Sequence, residues 1–335
     1  MQAKRDHGGG LDAAAVTFGG ARSDWLDLST GINPVPYPLP ALSPDCWTAL
    51  PDTAALDQLL AAARAFWNVP EGVEIVAAPG ASALIARMPY LTNLTGGVYI
   101  PGPTYNEHAA AVETADAVWL CDDPEDAVMH IYVHPNNPDG RLWDSSHMGG
   151  RPLTVIDESF CDVSPEDSLV HLTKNPGTVV LKSFGKFWGL AGLRLGFAIG
   201  SAATLAHAAQ AKGTHGTPST PPRATLAEHL GPWAVSGPAL EIGAQALTDF
   251  DWATKTRTRL TSDAAQLDSL MTTKGAQVVG GTTLFRLYDV SDSLEWQTAL
   301  AKHRIWTRAF PYNPRWLRLG LPGPDGWARL EKALA

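Results

Sequence analysis

Between residues 73 and 200 short apolar, β-branched runs return repeatedly, each followed by a polar or glycine-containing segment. The runs are Val73–Ala77, Gly97–Ile100, Ala117–Leu120, Met129–Val133, Thr154–Ile156, Val179–Leu181 and Leu195–Ile199. A strand with one wet face alternates apolar and polar residues; a strand covered on both faces has no need to. Several of these runs are apolar throughout, so the pattern predicts a mainly parallel α/β sheet. In such a sheet ligands collect at the carboxyl ends of the strands.

The residues after each run are therefore the ones that can carry chemistry. They are Gly80-Ala81-Ser82, Pro103-Thr-Tyr105, Asn136-Asn137-Pro-Asp-Gly140, Asp157-Glu-Ser-Phe160 and Ser183-Phe-Gly-Lys186. Together they offer what a carbanion-stabilising cofactor needs: an amine, a carboxylate, a phosphate cradle and a flat group. Lys186 stands among Phe184, Phe187 and Trp188, an apolar setting that would lower its proton affinity enough to free the amine for bonding to an aldehyde. Asp157 ends an apolar strand, where an unpaired carboxylate is costly, and beside a pyridine nitrogen it would keep that ring protonated. Gly80, Ala81 and Ser82 open a helical stretch whose backbone N–H groups suit a phosphate, with the Ser183 hydroxyl and the Arg194 guanidinium as further donors. Asn137 would donate to a phenolic oxygen, and Tyr105 would stack on the ring. Each of these readings is weak alone; a lone loop lysine is most often a solvated charge, and Asn-Pro is usually just a turn.

In combination the series Gly80, Pro103-Thr-Tyr105, Asn137-Pro-Asp-Gly140, Asp157-Glu158, Ser183-x-x-Lys186 and Arg194-x-Gly196 resembles the fold-type I pyridoxal 5′-phosphate (PLP) enzymes of the class I/II aminotransferase superfamily. The resemblance covers nearly the whole chain. It implies a three-layer αβα large domain with a seven-stranded sheet over residues 36–240. An N-terminal arm, 1–35, and a small α+β domain, 241–335, would complete the chain as part of a homodimer. Within the superfamily the chain is most similar to the branch that holds histidinol-phosphate aminotransferases and L-threonine-O-3-phosphate decarboxylases. His7-Gly-Gly, Asp27-Leu-Ser-Thr-Gly-Ile-Asn33-Pro34 and the segment 231–239 favour the decarboxylase side. So does Phe160, which stands where most aminotransferases have Tyr and cannot hydrogen-bond the cofactor's phenolic oxygen. The activity implied is PLP-dependent decarboxylation of a small phosphorylated amino acid in cobalamin biosynthesis. The alternatives are transamination by the same residues and, more distantly, a non-catalytic binding module. By resemblance Arg318 grips the substrate's α-carboxylate, Arg308 meets its phosphate, and His7 and Asn33 share that task. Leu50 departs from the pattern, because the family often has there a Tyr that reaches the partner subunit's cofactor.

Composition excludes other classes. The chain has 335 residues, 45% hydrophobic and 18% charged, with a net charge of −9 and no dense Lys/Arg stripe, which argues against nucleic acid or an anionic membrane as partner. Cys46, Cys121 and Cys161 have no metal-ligand spacing and are too few for a disulfide framework, so no metal is expected. No apolar leader or membrane span is visible, and a cytoplasmic location is the expectation. No strand is followed by a convincing Gly-x-Gly-x-x-Gly, which argues against a dinucleotide site. Residues 211–222 read as an exposed connection, and Pro238–Leu270 as one long helix.

Overall fold

A computed structural model describes residues 7–92, 94–206 and 225–335, so the predicted connection at 211–222 lies outside the described residues. The central sheet has seven strands: β1 (Val73–Ala78), β2 (Gly96–Tyr99), β3 (Val118–Cys121), β4 (Ala127–Val133), β5 (Leu153–Asp157), β6 (Thr178–Ser183) and β7 (Gly196–Ser201). Their order across the sheet is β1-β7-β6-β5-β4-β2-β3. Only β7 runs antiparallel to its neighbours, so the sheet is mainly parallel, as the apolar runs predict. Each of the seven runs falls on a strand. Every residue of β5 is buried, which is why Leu153–Asp157 shows no alternation.

Side-chain chemistry at the strand ends is delivered by short elements. Helix α1 (Thr53–Phe66) packs outside the sheet, α2 (Ala81–Ile85) starts directly after β1, and α3 (Asn106–Glu113) follows β2. The expected long helix over 238–270 is two, α4 (Gly237–Thr248) and α5 (Phe250–Thr272). Asp249 breaks it: its backbone leaves helical geometry (φ −92°, ψ 73°) and its carboxylate accepts from Trp252 N at 2.9 Å, capping the second helix. Beyond α5 lies a four-stranded antiparallel sheet of β8 (Gln277–Thr282), β9 (Phe285–Asp289), β10 (Arg308–Phe310) and β11 (Asn313–Gly320). Residues 305–310 are divided between two sheets: Ile305–Trp306 pairs in parallel with Leu26–Asp27, while Arg308–Phe310 enters the four-stranded sheet.

The N-terminal arm does pack on the rest of the chain. Leu28 and Tyr37 are buried in the main core, and residues 33–37 lie along the segment that carries Lys186. Asn33 N donates to Lys186 O at 3.0 Å, and Tyr37 N to Trp188 O at 2.9 Å. No helix among the described residues is long and apolar enough to cross a membrane.

Candidate active site

The ends of β1, β4, β5 and β6 converge on an enclosed cavity of about 100 Å³. Gly80, Ala81, Ser82, Tyr105, Asn137, Asp157, Phe160, Ser183, Lys186 and Arg194 all line it, so every cofactor candidate from the sequence is brought to one place. A cleft of about 700 Å³ adjoins it, sharing Ser82, Tyr105, Asn137, Phe160 and Lys186, and its outer wall holds His7, Arg308 and Arg318.

Lys186 follows β6 in a loop held from both sides. Its carbonyl accepts from Asn33 N and from Gly189 N at 3.1 Å, while Phe184, Phe187 and Trp188 are fully buried beneath. Burial draws the amine down to about 8; Arg318 and Arg194 add to the effect and Asp157 opposes it. A substantial neutral fraction is therefore present near pH 8, which is what bonding to an aldehyde requires.

Asp157 is buried and its oxygens are divided. Oδ1 accepts from Ser159 N at 3.0 Å and Ser159 Oγ at 2.5 Å; Oδ2 lies 2.8 Å from His108 Nε2. Burial alone pushes the carboxyl upward, but the His108 hydrogen bond and charge, with the two Ser159 bonds, hold it below its ordinary value. Sequence reasoning missed His108. The signal was there in part: three residues beyond Tyr105, on α3, it shares that residue's face of the helix.

Glycine makes the cradle. At Gly80, φ is +90°, and a Cβ there would lie 2.5 Å from Arg194 Nη2. A Cβ on Gly196 would lie 2.4 Å from Ala81 N. Both positions must stay bare for Arg194 to approach the start of α2. Arg194 itself holds left-handed backbone (φ 55°), a strained conformation for a side-chain-bearing residue that fixes where its guanidinium points. The space thus left, at the start of α2 beside a serine hydroxyl and an arginine, fits a phosphate dianion.

Arg318 is buried on β11. It donates through Nη1 to Asn137 Oδ1 and through Nη2 to Ser29 O at 2.7 Å, while Nε has no partner among the described residues. Burial, then Arg308, draws its pKa to about 10, so it stays cationic at neutral pH. Asn137 is thereby tied to the carboxylate candidate as well as to the cofactor candidates. Its loop is braced by the buried Asn136, which accepts from Thr104 Oγ1 at 2.6 Å and donates to Pro103 O at 3.1 Å.

Asn33 is placed differently from the expectation. It is buried outside the cleft, donates to Phe187 O at 2.8 Å and accepts from Arg259 Nη2 at 2.6 Å and Val35 N at 3.0 Å. With its oxygen and one amide N–H engaged next to Lys186, it supports the lysine loop. His7 does face the cleft, with Nε2 2.9 Å from Glu107 Oε1. Phe160 packs edge-on against Phe285 at 4.9 Å, and Lys186 Nζ lies 5.4 Å from its ring centre. Among the described residues no group of His, Cys, Asp and Glu could hold a metal ion.

The chain is similar to known proteins along most of its length. The sequence matches the family described as aminotransferase class I and II over residues 24–326. It is 38% identical to a threonine-phosphate decarboxylase of Sinorhizobium sp, covering 100% of this chain and 99% of that one. A threonine-phosphate decarboxylase of Pseudomonas aeruginosa is 36% identical, covering 98% and 97%. A histidinol-phosphate aminotransferase of Yersinia pseudotuberculosis is 30% identical over only 44% of this chain and 40% of its own. Among solved structures, histidinol-phosphate aminotransferase of Sinorhizobium meliloti in complex with pyridoxal-5′-phosphate superimposes with a TM-score of 0.75 at 17% identity, covering 99% of this chain and 95% of that one. L-Threonine-O-3-phosphate decarboxylase of Porphyromonas gingivalis gives 0.68 at 18% identity, covering 87% and 93%. At such identities these two likenesses concern the fold alone.

Proposed function

The chain belongs to the aminotransferase class I and II family, and from that premise we propose that it is a PLP-dependent lyase that decarboxylates L-threonine O-3-phosphate to (R)-1-aminopropan-2-yl phosphate in cobalamin biosynthesis. The observation that carries the reading is its end-to-end similarity to proteins of that name, against similarity over only about half its length to histidinol-phosphate aminotransferases. The site is consistent with it, since three cationic or basic groups, Arg318, Arg308 and His7, surround a cleft of suitable size for a small substrate with two anionic ends.

PLP fits the inner cavity. Lys186 would hold its aldehyde carbon, Asp157 its ring nitrogen and Asn137 its phenolic oxygen. Tyr105 would lie against the ring, with the phosphate at Gly80-Ala81-Ser82, Ser183 and Arg194. When bound, the cofactor supplies an electron sink for the pair left on Cα as carbon dioxide departs. The chain's own groups do the rest. Arg318 and Arg308 would hold the two anions and so orient the substrate in the cleft. Asp157, held ionised by His108 and Ser159, would set a negative charge beside the ring nitrogen and favour its protonated form. Lys186, its proton affinity lowered into the working range, is placed to return a proton to Cα.

We divide the chain into a cofactor-holding body, 36–240, and an arm with a small domain, 1–35 and 241–335. We also infer a homodimer: Trp47, Leu50 and Trp233 are large apolar side chains at 69%, 63% and 58% exposure, more than a monomer's surface needs. We place the enzyme in the cytoplasm. Incubation with threonine phosphate tests the activity. Carbon dioxide released without 2-oxoglutarate supports decarboxylation; turnover of histidinol phosphate that depends on 2-oxoglutarate, with no carbon dioxide, favours the aminotransferase reading.

A further inference from the structure

Ser29 lies outside both cavities, is 1% exposed, and is bonded on every side. Its N and Oγ donate to Asp27 Oδ1 at 2.9 and 2.6 Å. Its Oγ accepts from Gly9 N at 2.6 Å, and its carbonyl accepts from Arg318 Nη2 at 2.7 Å. One residue thus holds both the arginine and the strap of chain that carries His7. The strap has two further anchors: Trp306 Nε1 donates to Gly9 O at 3.0 Å, and Glu107 meets the His7 ring. Gly8 fits so closely that a Cβ would lie 2.5 Å from Ser29 O, the oxygen that Arg318 uses.

We propose that Ser29 is a spacing residue: by seating both Arg318 and the Gly8–Gly9 strap, it fixes the distance between the carboxylate end of the cleft and His7, and so selects amino acids whose second anion is carried on the β-carbon. The inference rests on the two-anion substrate proposed above. A rigid separation rewards one chain length, because a ligand one carbon longer meets only one of the two groups in good geometry. Ser29 touches no ligand and acts through its two bonded neighbours. Removing its hydroxyl frees Gly9 N while the carbonyl keeps Arg318, so the separation loosens from the His7 side. Adding a methyl at Gly8 pushes the strap off the same carbonyl and loosens it by a second route.

The test compares kcat/KM for L-threonine O-3-phosphate with that for O-phospho-L-homoserine, whose phosphate sits one carbon farther out, on the holoenzymes of the unsubstituted chain, Ser29→Ala and Gly8→Ala. Amide hydrogen exchange at Gly9 reads the strap directly. The unsubstituted enzyme should prefer the shorter ligand, and each variant should narrow that preference by about fivefold, the scale of one hydrogen bond, with the change carried by KM and with faster exchange at Gly9. Variants that fold, exchange faster at Gly9 and still discriminate as before overturn the spacing role, as does an equal loss for both ligands. Should Ser29→Ala fail to fold, Gly8→Ala carries the same comparison. An unsubstituted enzyme that handles threonine phosphate no better than L-threonine refutes the substrate reading instead, a result distinguishable from the others.

Discussion

His108 Nε2 stands 2.8 Å from Asp157 Oδ2, and neither side chain has meaningful access to solvent. The pair sets the charge at the floor of the inner cavity. Without His108, burial would prevail and Asp157 would accept a proton more readily. Replacing His108 by Phe should weaken cofactor binding and lower turnover by about 10- to 100-fold, the range for a charge-assisted hydrogen bond. Asp157→Asn should cost more, about 10²–10³-fold. Cofactor titration by visible absorbance, alongside steady-state rates, checks both.

The same carboxyl makes a stability prediction. A depressed folded-state pKa contributes stability above the ordinary carboxylate value, and that contribution is lost as pH falls through the folded value. His108→Phe should therefore flatten the acid side of the pH–stability curve, measured by urea unfolding at a series of pH values.

Lys186 predicts the opposite limb. Its folded value, about 8, lies below the ordinary lysine value, so the unfolded chain binds the extra proton between the two and stability rises with pH across that window. Lys186→Met should make the cofactor-free protein more stable at pH 7 by roughly 1–2 kcal/mol, a figure discounted because the side chain keeps some contact with the cavities, and the gain should vanish above pH ~10.5. Denaturant midpoints at the two pH values decide it.

Phe160→Tyr adds one oxygen at a position buried against Phe285. The fold should tolerate it within about 1.5 kcal/mol. A hydroxyl donated to the cofactor's phenolic oxygen would stabilise its anionic form, so the pKa read from the holoenzyme's visible spectrum should fall, by about one unit. An unchanged spectral titration would place that ring away from the oxygen.

Lys182 and Glu158 form a buried ion pair at 2.5 Å, with Asp162 3.6 Å from the same ammonium. Glu158→Ala leaves the lysine short of its nearest partner and should cost about 3–5 kcal/mol, visible as a large drop in melting temperature. Because these side chains line neither cavity, the residual folded enzyme should keep its substrate preference.

The sheet and the inner cavity were legible because both follow from periodicity. A strand covered on both faces writes itself as an apolar run, and the residue after it is placed at the ligand edge by topology. Lys186, Asp157 and Asn137 were found that way. His108 and Ser29 were not, since nothing in their neighbours shows that they meet Asp157, 49 residues on, or Arg318, 289 residues on. Asn33 is a like case: its motif marks the residue but does not reveal its partners, Phe187 and Arg259. Asp249 divided the expected helix because an Ala/Leu-rich composition does not reveal which acidic residue will serve as a cap.

The stretch from Asn33 to Tyr37 is laid against Lys186–Trp188 as a lath is laid under a floorboard. During synthesis Asn33 leaves the ribosome 154 residues before Phe187 does, and must wait for it. A nascent chain therefore has no finished seat for the Lys186 loop until these two distant stretches have met. Exchanging this opening stretch among relatives would alter the nucleophile's temper without changing one atom that a ligand touches.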